Sequence, residues 1–191
     1  GKQFSVQANM MLGNEVCQAM SKAYEGSAGK PLSERLMLAI EAAQGAGGDV
    51  RGKQSAALLV VPAKAEGKPW DERTVDLRVD DHKEPIKELR RLLTVHRAYE
   101  HMNAGDLAVE KNDMVKAMEE YQAAMKLMPD NLEMQYWTGI TLANNKQVDK
   151  AIPILKKVFA PDKNWKTLTR RLPEVKLLTV PDADLQRILA L

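Results

Sequence analysis

The chain has 191 residues, 45% of them hydrophobic and 28% charged, with a formal net charge of +2. That is the composition of a globular protein with room for one large domain or two small ones. Val95 divides the charges evenly, with 14 basic and 13 acidic residues on either side, so neither half has the charge excess that would point to nucleic acid.

Cys17 is the only cysteine, which excludes an intramolecular disulfide and a cysteine-only metal site. With Val16 and Met20 beside it, a buried thiol on a helix is expected. The apolar runs are far shorter than the ~18–20 residues that cross a bilayer, so no membrane partner is expected. No targeting segment is visible, and the compartment stays open.

The first stretch, "KQFSVQANMML", alternates with Phe4, Val6 and Ala8 on one side, which predicts a strand taken from a larger sheet. "GNEVCQAMSKAYE" then places Val16, Ala19, Met20 and Ala23 on one helical face. "GSAGK" breaks that helix. Pro31 suits the first turn of a second helix, whose stripe is Leu32, Leu36, Ala39, Ile40 and Ala43. Glycines 45, 47 and 48 end it.

"SAALLVV" (55–61) is continuously apolar, as a strand buried on both faces would be. The segment 63–72 is polar and turn-rich. "RTVDLRVDD" (73–81) alternates Val75, Leu77 and Val79 against Asp76, Arg78 and Asp80, predicting a half-buried strand. Helix, helix, strand, hairpin-like link and strand make part of an α+β sandwich.

Everything after Pro85 reads as helix, and a repeat appears in it. Gly105 recurs as Gly139, Ala117 as Ala151, Tyr121 as Leu155 and Ala124 as Val158, each 34 residues on. This is the tetratricopeptide period, and "MPDN" (128–131) supplies the proline between repeats. Pro153 falls inside the second unit's second helix, near its first turn. After Pro161, "NWKTLTRRLPEVKLL" predicts one capping helix and "PDADLQRILAL" a short terminal one. Between Lys156 and Lys176 there are seven basic and two acidic residues. This is either a solvated face or a surface for a polyanion such as a cell-wall polymer.

The segments "QANMML", "LSERLMLAIEAAQGAGGDVRGKQSAALLVV" and "VDLRVDDHKEPIKELRRLL" together resemble the C-terminal portion of the family called domain of unknown function 1028, over residues 1 to about 97. That family is grouped with the N-terminal-nucleophile (Ntn) hydrolases. The resemblance implies a four-layer αββα sandwich and a Thr, Ser or Cys at the start of the catalytic chain, whose α-amino group is the base. Gly1 has no side chain with which to attack, and earlier strands are missing. The expectation is therefore a partial Ntn-type sandwich over 1–97, not catalytically competent alone. A separate N-terminal half or a second chain would complete its sheet. Residues 98–160 follow as an all-α module of two tetratricopeptide-like repeats, and 161–191 as a helical cap.

Two strand mouths carry the candidate site residues. Asp49 and Arg51 stand at one, and Asp80, Asp81 and His82 at the other. They either contact substrate at one rim of the sandwich, or they pair with one another around turns. Three consecutive residues on a strand cannot all point one way, so "DDH" is not expected to hold a metal, and no cofactor is implied. His96 and His101 read as surface or packing residues. In the repeats the first helices face the concave side, which offers Tyr99, Met102, Asp106, Glu133, Tyr136, Ile140 and Asn144 to a peptide or protein ligand. Another subunit or the sandwich would otherwise cover them, and a homo-oligomer is expected. Two functions compete: an Ntn-type amide hydrolase part carrying an interaction module, and a non-catalytic binding or assembly protein acting through its repeats.

Overall fold

The computed structural model of the chain describes residues 4–64, 67 and 72–191. Most of the turn-rich link 63–72 and residues 1–3 therefore lie outside the described residues. Among these residues the fold is mixed α+β and mostly helical, with eight helices and one two-stranded antiparallel sheet. The chain divides into two compact units, 1–96 and 97–191.

In the first unit, helices α1 (Glu15–Gly26) and α2 (Leu32–Gly45) pack against each other. Val16 on α1 and Met37 on α2 are fully buried, while Cys17 is only half-buried. Pro31 stands at the N-cap of α2, one residue ahead of its first turn. Arg35 lies 3.8 Å over the ring of Tyr24 and donates from Nη2 to the Tyr24 carbonyl, binding the two helices.

The strand expected over Phe4–Met10 is not formed. An extended segment becomes a strand only when its N–H and C=O groups find another strand. Here the described pairing is a single antiparallel bridge between Met11 and Asp49, and Met10 has a positive φ of 55°, which interrupts the extended backbone. Phe4 packs instead on Tyr24, with ring centroids 4.6 Å apart.

Strands β1 (Ala56–Val60) and β2 (Val75–Val79) pair antiparallel with Leu58 opposite Leu77. One face of the sheet supplies Leu58, Val75 and Val79 to a core shared with Met37, Leu89 and Leu93. The other face of β1 is uncovered: Leu59 is 51% exposed and Ala57 is exposed, so β1 is not the doubly buried strand its apolar run suggests. Beyond the strand, Val61 is exposed as well. Among the described residues β1 pairs only with β2, and its second edge has no strand against it.

Helix α3 (Pro85–Glu110) gives its first part to this unit and its second part to the next. In the first part Arg90 forks onto Glu34 and Glu41, two carboxylates seven residues apart on α2, at 2.7–2.8 Å. The Glu41 pair is bidentate, through Nε and Nη2, and Nη1 is shared between the two Glu34 oxygens, which together fix the register of α2 against α3.

The second unit holds the rest of α3 with α4 (Met114–Leu127), α5 (Leu132–Asn144) and α6 (Val148–Phe159). The 34-residue recurrence seen in the sequence is repeated in the geometry. A Cβ at Gly105 would lie 2.4 Å from the ring of Tyr121, and one at Gly139 would lie 2.8 Å from Leu155. Ala117, Ala124, Ala151 and Val158 are all fully buried. The turns between helices match too. Asp113 N–H donates to Ala108 and Gln147 N–H to Leu142, both at 2.9 Å, around left-handed residues Asn112 (φ 57°) and Lys146 (φ 61°).

Side-chain caps start two of these helices. Asp113 accepts from Lys116 N–H at the start of α4, and Asn131 accepts from Met134 N–H at the start of α5. Pro153 is the sixth residue of α6, beyond the first turn, where its missing N–H removes a helical bond. Its ring is exposed, and Leu155 and Val158 after it still reach the core.

The capping helix is shorter than the sequence suggests. Helix α7 covers only Asn164–Arg171, because Pro173 cannot continue the hydrogen-bond ladder. It closes by the same turn as α3 and α5, with Leu177 N–H on Leu172 O and Lys176 left-handed at φ 60°. Helix α8 (Asp182–Leu189) ends the chain and buries Ile188 in the core that also holds Tyr136, Leu155 and Leu172.

Candidate functional site

The glycine-rich stretch after α2 is first a helix terminus. Gly48 N–H donates to Ala43 O at 3.0 Å and Gly47 N–H to Gln44 O at 3.1 Å, with φ of +62° and +110° at the two glycines. A left-handed glycine with these bonds satisfies carbonyls that the helix end leaves open. Gly48 O then accepts from Leu12 N–H, and Met10 O accepts from Val50 N–H. The N-terminal arm is thereby laid across the turn.

Gly48→Val should therefore destabilise the first unit by about 1–3 kcal/mol, since a β-branched residue at positive φ is strained. Asp81 is exposed at the end of β2, so Asp81→Ala should change little. Thermal melts of the two variants check this, and equal midpoints would discard the turn geometry.

Beside this turn lies a cleft of about 560 Å³. Its floor is apolar, from Val16 and Met20 on α1, Ile40 and Ala43 on α2, and Ile86 on α3. Its rim is polar, from Gln44, Asp49, Arg51, Lys53, Gln54 and Ser55. Asp49 makes three bonds with Arg51: it accepts from the backbone N–H at 2.8 Å, from Nε at 3.0 Å and from Nη2 at 2.6 Å. Those hydrogen bonds hold the Asp49 carboxyl down at about 2. It is thus an anion throughout the neutral range. Lys53 Nζ is paired with Glu84 at 2.6 Å.

Of the five sequence candidates, Asp49 and Arg51 line the cleft. Asp80, Asp81 and His82 do not. His82 instead serves the start of α3. Its Nδ1 accepts from Glu84 N–H at 3.0 Å, and its backbone N–H donates to Gln54 O. The last bond brings the end of β2 beside the approach to β1. The cleft also draws in Gln44, Lys53, Gln54 and Ser55, which the sequence did not mark because none of them carries an unusual chemical signature. Its only hydroxyl is that of Ser55, with no imidazole among the lining side chains. Among the described residues no group of three or more His, Cys, Asp or Glu is arranged to hold a metal ion.

In the second unit the seven candidate partner residues separate into two sets of three and Asn144. Tyr99 and Asp106 are exposed and Glu133 is half-buried. Tyr99 Oη donates to Glu133 Oε2, and Asp106 Oδ1 accepts from Tyr121 Oη at 2.7 Å. Burial and the Asp106 bond push the Tyr121 phenol far above its ordinary range. Met102, Tyr136 and Ile140 are at most 5% exposed. Tyr136 packs on Trp165 with centroids 4.7 Å apart and on Trp137 at 5.2 Å, and its hydroxyl meets Thr169 Oγ1 at 3.0 Å.

Asn144 grips the chain's own backbone, donating to Leu177 O at 2.9 Å and accepting from Thr179 N–H at 2.8 Å. The capping segment therefore takes up Tyr136, through Trp165 and Thr169, and the amide of Asn144, while Glu133 at the start of α5 is left outside it. A groove of about 320 Å³ remains beside it, lined by Val109, Asn112, Met114, Thr141, Asn144 and Asn145.

No curated protein and no solved structure gives a significant match to the chain. Residues 1–89, ending inside the first part of α3, match the model of the family described as Family of unknown function (DUF1028).

Proposed function

We propose that the first unit is the C-terminal part of an Ntn-type amide hydrolase, and that the second carries two tetratricopeptide-like repeats that hold a protein or peptide. On this reading the sandwich is completed, and its nucleophile supplied, by polypeptide outside these 191 residues. The observation that carries it is the state of β1: an uncharged strand with one edge unpaired and Ala57 and Leu59 uncovered, in a segment that matches the family. Such an edge and face are satisfied by another strand and a facing layer.

The cleft beside Asp49 and Arg51 would then be a rim of the substrate site. Asp49 orients the guanidinium, and the apolar floor takes the non-reacting part of an amide substrate. The geometric recurrence at 34 residues supports the repeat assignment, with Tyr99, Asp106 and Glu133 left as the accessible contact residues.

A non-catalytic binding or assembly protein is the second reading. It is favoured by the cleft's lining, which among the described residues holds one hydroxyl, that of Ser55, and no imidazole. Intact-mass analysis and N-terminal sequencing of native material separate the two. A copurifying chain that starts with free Thr, Ser or Cys, with amide hydrolysis by the pair, supports the enzyme. A stable protein with no such chain overturns it in favour of the binding protein.

A further inference from the structure

From the end of α6 through the turn after α7 the surface is strongly cationic. Lys156, Lys157, Lys163, Arg170, Arg171 and Lys176 are exposed and Lys166 is half-exposed. None of the seven makes an ion pair among the described residues, whereas Arg51, Arg73, Arg78, Arg90, Arg91 and Arg187 are all paired. The two carboxylates nearby do not neutralise them: Asp162 accepts from Asn164 N–H, and Glu174 is exposed to water.

Helix α7 organises this charge. Trp165, Leu168 and Thr169 turn toward the core, and Tyr136 stacks on Trp165. Lys163, Lys166 and Arg170 then fall on one outward line at i, i+3 and i+7, spanning ~10 Å. The arrangement costs stability by itself. Lys166 and Arg170 repel at i,i+4, and Lys163 sits at the positive end of the helix dipole. Just past the helix, Val175 is 63% and Leu177 52% exposed on either side of Lys176.

We propose that this α7 face binds an acidic peptide segment with aliphatic residues flanking its carboxylates. The charge is complementary, and so is the spacing. Neighbouring cations on the line are roughly 5–6 Å apart at Cβ. An extended peptide presents same-side carboxylates about 6.8 Å apart, within reach of flexible Lys and Arg stems. Val175 and Leu177, exposed just beyond the end of α7, offer apolar contact to aliphatic residues that flank the carboxylates, which a bare anionic polymer lacks. The proposal uses neither the cleft residues nor the repeat contacts Tyr99, Asp106 and Glu133, and it stands whether or not the first unit is part of a hydrolase.

The test uses the 191-residue protein and a short labelled Glu-rich peptide flanked by leucines, followed by fluorescence anisotropy. Binding should weaken roughly tenfold or more between about 50 and about 200 mM salt. The double variant Lys166→Glu, Arg170→Glu should weaken it at least about tenfold, and Val175→Ser several-fold, while the charge reversal Lys111→Glu elsewhere in the unit should not. Circular dichroism keeps a folding defect separate from a binding defect. Absent or salt-independent binding would overturn the proposal, as would equal loss in the Lys111 variant. Polyphosphate binding as tightly as the peptide, or a preference for anionic vesicles, would overturn the peptide assignment.

Discussion

Gly105→Ala should be among the most damaging single-methyl changes in the second unit. The added Cβ would lie 2.4 and 2.6 Å from two ring carbons of Tyr121. That ring is fully buried and its hydroxyl is held by Asp106, so it has nowhere to swing. The two helices must part, and overpacking of this kind costs about 1–3 kcal/mol or more. The gain in helix propensity from Gly to Ala, about 1 kcal/mol, offsets only part of it.

Gly139→Ala is the internal comparison. There the Cβ meets Leu155 at 2.8 Å, and a leucine side chain has rotamers through which to yield. Denaturant unfolding of the two variants should rank Gly105→Ala as the more destabilised by about 1 kcal/mol. If Gly105→Ala were stabilising, as alanine is in an exposed helix, the close crossing of α3 and α4 would be wrong.

Tyr136→Ala is the second large effect. It removes a fully buried aromatic ring from between Trp137 and Trp165, and an aromatic-to-alanine change in a core costs about 3–5 kcal/mol. Tyr136→Phe should cost only about 1 kcal/mol, because Thr169 keeps its own bond to the Trp165 carbonyl at 2.8 Å. Urea titrations followed by tryptophan emission measure both. A Tyr136→Ala protein as stable as the parent would mean that the α7 cap does not seat on α5.

What the sequence disclosed, and what it hid, follows from where the information lies. The close helix crossings were legible because they require small residues, and Gly105, Gly139, Ala117 and Ala151 advertise this at a fixed interval. The helix end at Gly47 and Gly48 was legible for a similar reason, since few residues tolerate a left-handed backbone.

Phe4–Met10 misled because alternation describes one segment, whereas a strand is a property of two. Tyr136 looked like a ligand contact because spacing gives a residue's face on its own helix and says nothing of what folds back over it. Asn144 is the clearest case, an amide offered to a partner that turns out to hold the chain's own Leu177 and Thr179. The cleft was only half visible. Its floor joins α1 and α2 to α3, which comes much later in the chain, and its rim side chains are commonplace singly.

The uncovered edge of β1 has a consequence for how the 191-residue chain behaves at high concentration. Ala56 to Val61 offers six successive uncharged residues. By contrast, the outward positions of β2 carry Asp76 and Arg78, an ion pair that Arg73 joins. Charged side chains are what ordinarily discourage one sheet from adding to another. Two molecules meeting at β1 would therefore find no electrostatic objection to forming a shared four-stranded sheet, and the 51% exposed Leu59 would lose water in doing so. Purified alone, the protein would carry a colloidal weakness confined to one strand, and a single lysine in place of Leu59 would be a direct way to make it tractable at the bench.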